Sequence, residues 1–438
     1  MIHRLKKFIP ESWLNAYHFA LSSVATAWYR HPSESLIVIG VTGTNGKTTT
    51  SYLIAKALEA MGDKTGCMTT ALFKVDSKEW LNDKKMTMLG RFQLQKLLRE
   101  IVDAGCKYVV VETSSQGIVQ HRHRGVNYDC VVLTNLTPEH IEAHGSFKAY
   151  KDAKIELFRH AATSPRKVLN GKTIPKVAIL PHASEDAEDF AVIGLDQVMW
   201  YGVGTGGGVT ATNVEDHGWL TKFSVDGQSF ELHLPGEVNV ENATAAIAVA
   251  KSLGLPFDAF AKKLESIPGV PGRFERIDAG QPYTVLVDYA VEPVAMEKLY
   301  AFIKGLPHQR LIHVFGSCGG GRDVARRPIL GKLAAEHVDR IVVTNEDPYD
   351  DDPQMIVDQI AAGARAAGAT DERMTTILDR REAIEFAVKQ AKPGDVVLIT
   401  GKGCEQWLMV ADGKRIPWDD RKVAKEAILR YASTHVSP

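Results

Sequence analysis

The stretch Leu36-Ile37-Val38-Ile39-Gly40-Val41-Thr42-Gly43-Thr44-Asn45-Gly46-Lys47-Thr48-Thr49 decides the fold. Its apolar run, Leu36 to Val41, reads as a strand buried on both faces, where no polar alternation is needed. Thr49 to Met61 reads as the helix that follows. Strand, Gly-rich turn, Lys-Thr and helix together make a phosphate loop. The turn's amides and the helix N-terminus gather phosphate oxygens, Lys47 reaches the terminal phosphates, and the Thr48 hydroxyl ligates Mg²⁺. Gly43, Thr44, Asn45, Gly46, Lys47, Thr48 and Thr49 are therefore assigned to ATP. One departure is visible: the general motif places a glycine at position 41, and here Val41 stands there with glycines at 40 and 43.

Outward from this loop the chain alternates apolar runs with amphipathic segments, the pattern of a parallel sheet covered by helices. Further strands are expected at Lys107–Glu112 and Asp129–Thr134. Between Ser164 and Gly236 polar alternation suggests a smaller antiparallel insertion, and an Ala-rich helix follows over Ala243–Leu253. Pro268-Gly269-Val270-Pro271-Gly272 reads as a junction. A second set of strands then begins at Thr284, Leu311, Arg340 and Val396. The expected architecture is α/β: a short helical segment over 1–35, a central P-loop ATPase-type parallel-sheet domain over 36–275, and a C-terminal Rossmann-like domain over 276–438. Chemistry is sought in the turns at the carboxyl ends of the strands.

Composition excludes several classes. The chain's 438 residues exceed one ordinary core, and 52 basic against 53 acidic residues leave no field for a nucleic-acid partner. The cysteines at 67, 106, 130, 318 and 404 form no C-x-x-C pair, which fits a cytoplasmic protein. Phe8 to Tyr29 is apolar and aromatic after the basic opening Met1-Ile2-His3-Arg4-Leu5-Lys6-Lys7. Glu11, Asn15, His18, Ser22 and Ser23 interrupt it, so a helix docked on the body is favoured over membrane association. Oligomeric state is not written in the sequence.

The spelling Gly-Thr-Asn-Gly-Lys-Thr resembles the Mur ligase family, and later motifs follow in that family's order. Glu112-Thr113-Ser114-Ser115 ends a strand; Thr134-Asn135-Leu136-Thr137-Pro138-Glu139-His140 follows the next; Tyr150-Lys151-Asp152-Ala153-Lys154 lies one helix on. The resemblance implies an ATP-dependent ligase that activates a carboxylate as an acyl-phosphate for attack by an amine. It implies that Glu112 binds Mg²⁺, that His140 assists a second Mg²⁺, and that Lys154 is carbamylated into a carboxylate-like metal ligand. Lys47, His140 and Lys154 are thus the catalytic candidates. Taken alone, Glu112 is a solvated turn carboxylate, His140 a helix-start histidine and Lys154 an exposed helix lysine.

Within the family the likeness is to the MurE branch, which adds the third residue of the peptidoglycan stem peptide. Ser114, Gln120 and Arg122, with Thr87, are similar to the segments that hold the muramyl peptide. Leu234 to Asn242 resembles the adenine-side segment, implicating Asn239 and Asn242, while Gly269 to Glu275 and Val287-Asp288-Tyr289-Ala290 implicate Arg273 and Asp288 on the ATP. Helix caps, a linker ion pair and a turn former are the plainer readings of these four. Arg322, Asp347, Gly401 and Glu405 match positions that receive the incoming amino acid. Four replacements stand out: Gln116, Val291 and Cys404 where histidines are usual, and Tyr349 where an Arg reads the distal carboxylate of diaminopimelate. With acidic Glu346, Asp347 and Asp350 nearby, the incoming residue is expected to be a diamino acid such as L-lysine. Family members also carry a uridine-gripping domain ahead of the phosphate loop, for which residues 1–35 are too few. A lipid-linked muramyl peptide, a cyanophycin-like chain or folate polyglutamate remain alternative acceptors. A non-catalytic nucleotide-binding homologue and a P-loop transport or motor ATPase are the readings from other classes.

Overall fold

The computed structural model describes residues 11–137, 144–204, 206–321 and 324–431. They divide into two compact units, Met1–Pro268 and Gly269–Pro438.

The first unit opens with helix α1 (Glu11–Trp28), followed by β1 (Ile37–Thr42) and α2 (Lys47–Leu58). Three short strands follow, β2 (Thr65–Met68), β3 (Leu72–Val75) and β4 (Lys78–Leu81), then α3 (Arg91–Asp103), β5 (Tyr108–Glu112), α4 (Ser115–Val119), β6 (Cys130–Leu133) and α5 (Phe147–Thr163). The main elements that follow are β7 (Val177–Pro181), β8 (Gln197–Val203), β9 (Val209–Asp216), β10 (Thr221–Val225), β11 (Gln228–Leu232) and α6 (Glu237–Ser252). One sheet takes all eleven strands in the order β11-β10-β9-β8-β7-β6-β1-β5-β2-β3-β4. From β9 through β2 every neighbouring pair is parallel. β1 lies near the middle, so the loop leaving it sits at the carboxyl edge of a fully buried strand.

Two expectations change here. The segment Ser164–Gly236 is not an antiparallel insertion: β7, β8 and β9 extend the parallel sheet, and only β10 and β11 run antiparallel at its edge. Val177-Ala178-Ile179-Leu180 is fully buried, a parallel-strand signature overshadowed by the polar alternation that follows it. The Ala-rich helix begins at Glu237 rather than Ala243, which brings Asn239 and Asn242 into its first turns. Gly40 also gains a reason, since a Cβ there would lie 2.7 Å from the Tyr128 ring that crosses β1.

The second unit contains β12 (Glu275–Arg276), β13 (Thr284–Asp288), α7 (Pro293–Gly305), β14 (Leu311–Phe315), α8 (Arg326–His337) and β15 (Arg340–Val343). It continues with α9 (Pro353–Ala366), β16 (Met374–Thr376), α10 (Arg380–Gln390), β17 (Val396–Thr400) and α11 (Asp420–Tyr431). The sheet order is β12-β13-β17-β14-β15-β16, parallel except for β12. Val285, Val287, Ile312, Val314, Val342, Val397 and Ile399 form its central core with Ala383, Ile384, Ala387 and Val388 of α10. The arrangement puts the turns after β13, β15 and β17 on one edge of the sheet.

Candidate active site

Between β1 and α2 the chain turns through Gly43 and Gly46, whose φ angles of 148° and 78° disfavour any side chain. Space forbids one as well: a Cβ on Gly43 would lie 1.9 Å from Thr134 Oγ1, and one on Gly46 would lie 2.3 Å from Asn242 Oδ1. The loop is strapped from outside. Asn135 accepts from Thr44 N (3.0 Å) and Asn45 N (2.8 Å), while Thr134 Oγ1 donates to Asn45 O (2.6 Å). Lys47 Nζ donates back to Thr44 O at 2.6 Å, curled over the turn it serves.

Glu112, at the carboxyl end of β5, is buried beside the start of α2. Thr48 Oγ1 lies 3.1 and 3.0 Å from its two carboxylate oxygens. Thr70 supplies a backbone N–H at 2.7 Å and a hydroxyl at 2.9 Å. Hard oxygen donors at this separation next to a phosphate loop suit Mg²⁺, which keeps waters and takes one or two carboxylates. No group of three or more His, Cys, Asp or Glu gathers among the described residues. Beside the loop, the described residues offer the Thr48 hydroxyl and the Glu112 carboxylate as donors.

Lys154, on α5, is buried, and its Nζ donates to Gly43 O at 2.7 Å while lying 4.3 Å from the Tyr150 ring centroid. Tyr150 in turn bonds Thr44 Oγ1 through its hydroxyl at 3.1 Å. The expected exposed-lysine alternative thus gives way to a lysine fixed against the phosphate loop. His140 lies outside the described residues, as does Arg322.

The segment likened to a muramyl-peptide holder is linked to the same carboxylate. Thr70 Oγ1 lies 3.0 Å from Thr87 Oγ1, and the next carbonyl, Met88 O, accepts from Arg122. Arg122 Nη2 also donates to Gln120 Oε1 at 2.6 Å, and burial lowers the Arg122 pKa. Met88 contributes its backbone carbonyl here, so this contact does not depend on its side chain. Ser114 Oγ caps α4, accepting from Gly117 N at 3.2 Å. Gln116, standing where a histidine is usual, lies 3.4 Å from His144 Nε2, itself 3.0 Å from Ser115 Oγ.

Asn242 and Asn239 diverge in what they do. Asn242 Oδ1 accepts from Thr50 Oγ1 of α2 at 3.1 Å, beside Gly46, whereas Asn239 Nδ2 is spent on Pro235 O at 2.8 Å. In the second unit Asp288 accepts from Phe274 N and Ala290 N, both at 2.7 Å, and desolvation raises its pKa. Arg273 stacks 4.3 Å from the Tyr289 ring centroid, and the Tyr289 hydroxyl donates to Glu405 at 3.3 Å.

Asp347 and Glu405 are brought together by Lys402. Its buried ammonium bonds both Asp347 oxygens at 2.9 Å and also Glu405, and their charges hold its pKa above 10.5 against desolvation. Gly401, with φ of 109°, passes so close to Glu346 that a Cβ would lie 2.4 Å from Oε2. Glu346 is buried with that oxygen lacking a hydrogen-bond partner, and burial raises its pKa.

Residues that the motifs did not single out hold these groups: Thr70, Asn135 and Tyr150 within the first unit, and Lys402, which joins Asp347 to Glu405, within the second. Asn135 and Tyr150 fell inside quoted motifs, and Lys402 lies between the candidates Gly401 and Glu405, so a signal was present. Thr70 lies in the short turn between β2 and β3, with no motif to mark it.

A nucleotide loop on a parallel sheet, with a buried carboxylate against its hydroxyl, defines an ATP-dependent enzyme class, and comparison with known proteins specifies it. Residues 41–250 match the Mur ligase middle domain, and residues 272–403 match the Mur ligase glutamate ligase domain. A UDP-N-acetylmuramyl-tripeptide synthetase of Roseiflexus sp. is 39% identical over 93% of this chain and 82% of its own length. A UDP-N-acetylmuramoyl-L-alanyl-D-glutamate–2,6-diaminopimelate ligase of Solibacter usitatus is 34% identical over 96% and 83%. Among solved structures, a ligase of that same name aligns with a TM-score of 0.60 at 29% identity, covering 92% of this chain and 79% of that one. The Mycobacterium tuberculosis folylpolyglutamate synthase shares the fold, with a TM-score of 0.69 at 17% identity over 94% of each chain. The chain belongs to the Mur ligase family. It is an ATP-dependent ligase that forms amide bonds.

Proposed function

We propose that this ligase adds an amino acid to a muramyl dipeptide in peptidoglycan precursor synthesis. The observation that carries the reading is the continuous hydrogen-bonded path Thr48–Glu112–Thr70–Thr87. It ties the phosphate loop to the segment that resembles the muramyl-peptide holder, the juxtaposition needed to phosphorylate a bound carboxylate. In that reaction a carboxylate oxygen of the acceptor attacks the γ-phosphorus and ADP leaves. The amino group then attacks the acyl carbon, losing a proton, and inorganic phosphate departs. Charge builds on the transferring phosphoryl group, so Lys47 stabilises it directly, and Thr48 and Glu112 hold the Mg²⁺ that neutralises it when bound. His140 and a carbamylated Lys154 are proposed for a second Mg²⁺, Asn239, Asn242, Arg273 and Asp288 for the nucleotide, and Ser114, Gln120 and Arg122 for the acceptor.

For the incoming residue we propose a diamino acid without a distal carboxylate, such as L-lysine, at Arg322, Asp347, Gly401 and Glu405. Tyr349 supplies no cation where the family's Arg would pair a second carboxylate. Lys402 neutralises Asp347, so Glu346 is the acidic group that favours a distal ammonium. The Solibacter relative's name favours 2,6-diaminopimelate as the second reading. Phosphate release by the purified protein with ATP, Mg²⁺ and muramyl dipeptides, with and without uridine diphosphate, separates the two. Turnover with lysine and none with diaminopimelate is expected; the reverse would sink this specificity, and no turnover with any muramyl acceptor would sink the acceptor assignment.

A further inference from the structure

The N-terminal helix is built inside out. Its body-facing side is small and polar: Ser22, Ala25 and Thr26 are buried, and Ser22 and Thr26 seat on Gly125, where a Cβ would lie 2.2 Å from Thr26 Oγ1. Its outward side is apolar. Trp13, Tyr17, Val24 and Trp28, at intervals of three to four residues or their multiples, are 73%, 58%, 54% and 75% exposed. Ala16, Ala20 and Ala27 are exposed beside them.

From Ser12 to Tyr29 there is no Asp, Glu, Lys or Arg. Exposed Ser23 donates to Phe19 O and is satisfied within the helix. Soluble helices normally place the apolar stripe inward and charge outward. This one does the opposite, and spends its polar residues on the docking side.

We propose that this face of α1 lies on an anionic lipid bilayer surface. Three features choose that occupant. First, the helix is flanked by cations: Arg4, Lys6 and Lys7 precede it, and exposed Arg30 follows it, which complements phosphate headgroups and would repel a second copy presenting the same ends. Second, tryptophans stand at both ends of the stripe, the residue type whose amphipathic ring prefers the headgroup level. Third, no described helix is long and apolar enough to cross a membrane, so the contact is one of lying in the interface with the apolar side sunk to headgroup depth.

The test is flotation of the full chain with vesicles of phosphatidylglycerol and phosphatidylcholine, against phosphatidylcholine alone. Binding is expected to the anionic vesicles and to weaken as salt shortens the Debye length. Two variants read the two halves of the claim. Trp13→Ser with Trp28→Ser should lose vesicle binding by at least about tenfold, and Lys6→Glu with Lys7→Glu by roughly thirtyfold or more. Both should release phosphate in solution at the parent rate, which shows that they fold. Failure of the parent to float, or equal flotation by the Trp variant, overturns the proposal. So does light scattering that shows a dimer abolished by the same tryptophan changes, since that would make a second copy the occupant.

Discussion

Lys154 Nζ donates to the carbonyl of Gly43, 111 positions earlier in the chain, at 2.7 Å. This fixes the first residue of the phosphate loop to the third turn of a helix that also carries Tyr150, itself bonded to Thr44. If Lys154 is carbamylated, Lys154→Ala removes both the tether and a metal ligand. Turnover should fall by at least about a hundredfold, ~2.7 kcal/mol of barrier. Added short carboxylates should restore part of it, and intact mass should show the carbamate on the parent protein. A variant with parental turnover would reject the role.

Glu112→Gln keeps an oxygen for Thr70 N but removes the charge that Thr48 faces. The Mg²⁺ concentration for half-maximal phosphate release should rise by about tenfold or more, because a hard dication loses its carboxylate ligand. Thermal stability should change little by comparison, which separates metal binding from folding. An unchanged Mg²⁺ dependence would remove Glu112 from the metal.

Gly43→Ala meets both a disfavoured φ and an oxygen 1.9 Å from the new carbon. The backbone cost is roughly 1–3 kcal/mol, and the loop must leave Thr134 to relieve the clash. Calorimetry should show a lowered melting temperature and titration a lost ATP affinity. Gly62→Ala is the control: it also has positive φ, with nothing within 4 Å of the added atom.

Lys402→Met leaves Asp347 and Glu405 facing one another in a buried setting. Removing one partner of such a cluster costs about 3–5 kcal/mol. The sign with pH follows from the direction of each shift. In the parent, the raised Lys402 pKa contributes stability that is complete below its ordinary 10.5 and is lost as pH climbs through the folded value. In the variant no lysine titrates there, so its deficit relative to the parent should shrink as pH climbs past 10.5. Denaturant melts across that range check both trends.

Much of this was legible in the sequence, for identifiable reasons. The stretch from Leu36 to Thr49 joins a continuous apolar run to a Gly-rich turn, and both signals are local. The strands at Leu311 and Val396 were readable on the same ground, and each begins where the apolar run does. What escaped is non-local or disguised. Thr70 matters only because β2 returns beside β5, and nothing in its own neighbours says so. Val177 to Leu180 is a buried parallel strand that the polar texture after it obscured. Asn239 and Asn242 differ by one turn of helix, and that turn decides which one touches the phosphate loop, a distinction no motif spells out.

The strapping of the phosphate loop has a temporal side. Its bonds to Asn135, Lys154 and Asn242 join residues 90, 111 and 192 positions apart. Such pairings close slowly, because the intervening chain must first be ordered. On the ribosome they also wait for synthesis: at ordinary elongation rates the 192 residues separating Thr50 from Asn242 take roughly 10 to 40 s to make. A nascent chain therefore displays the Gly-Lys-Thr signature long before it can grip a nucleotide, and ATP capture doubles as a report that the whole first unit has closed.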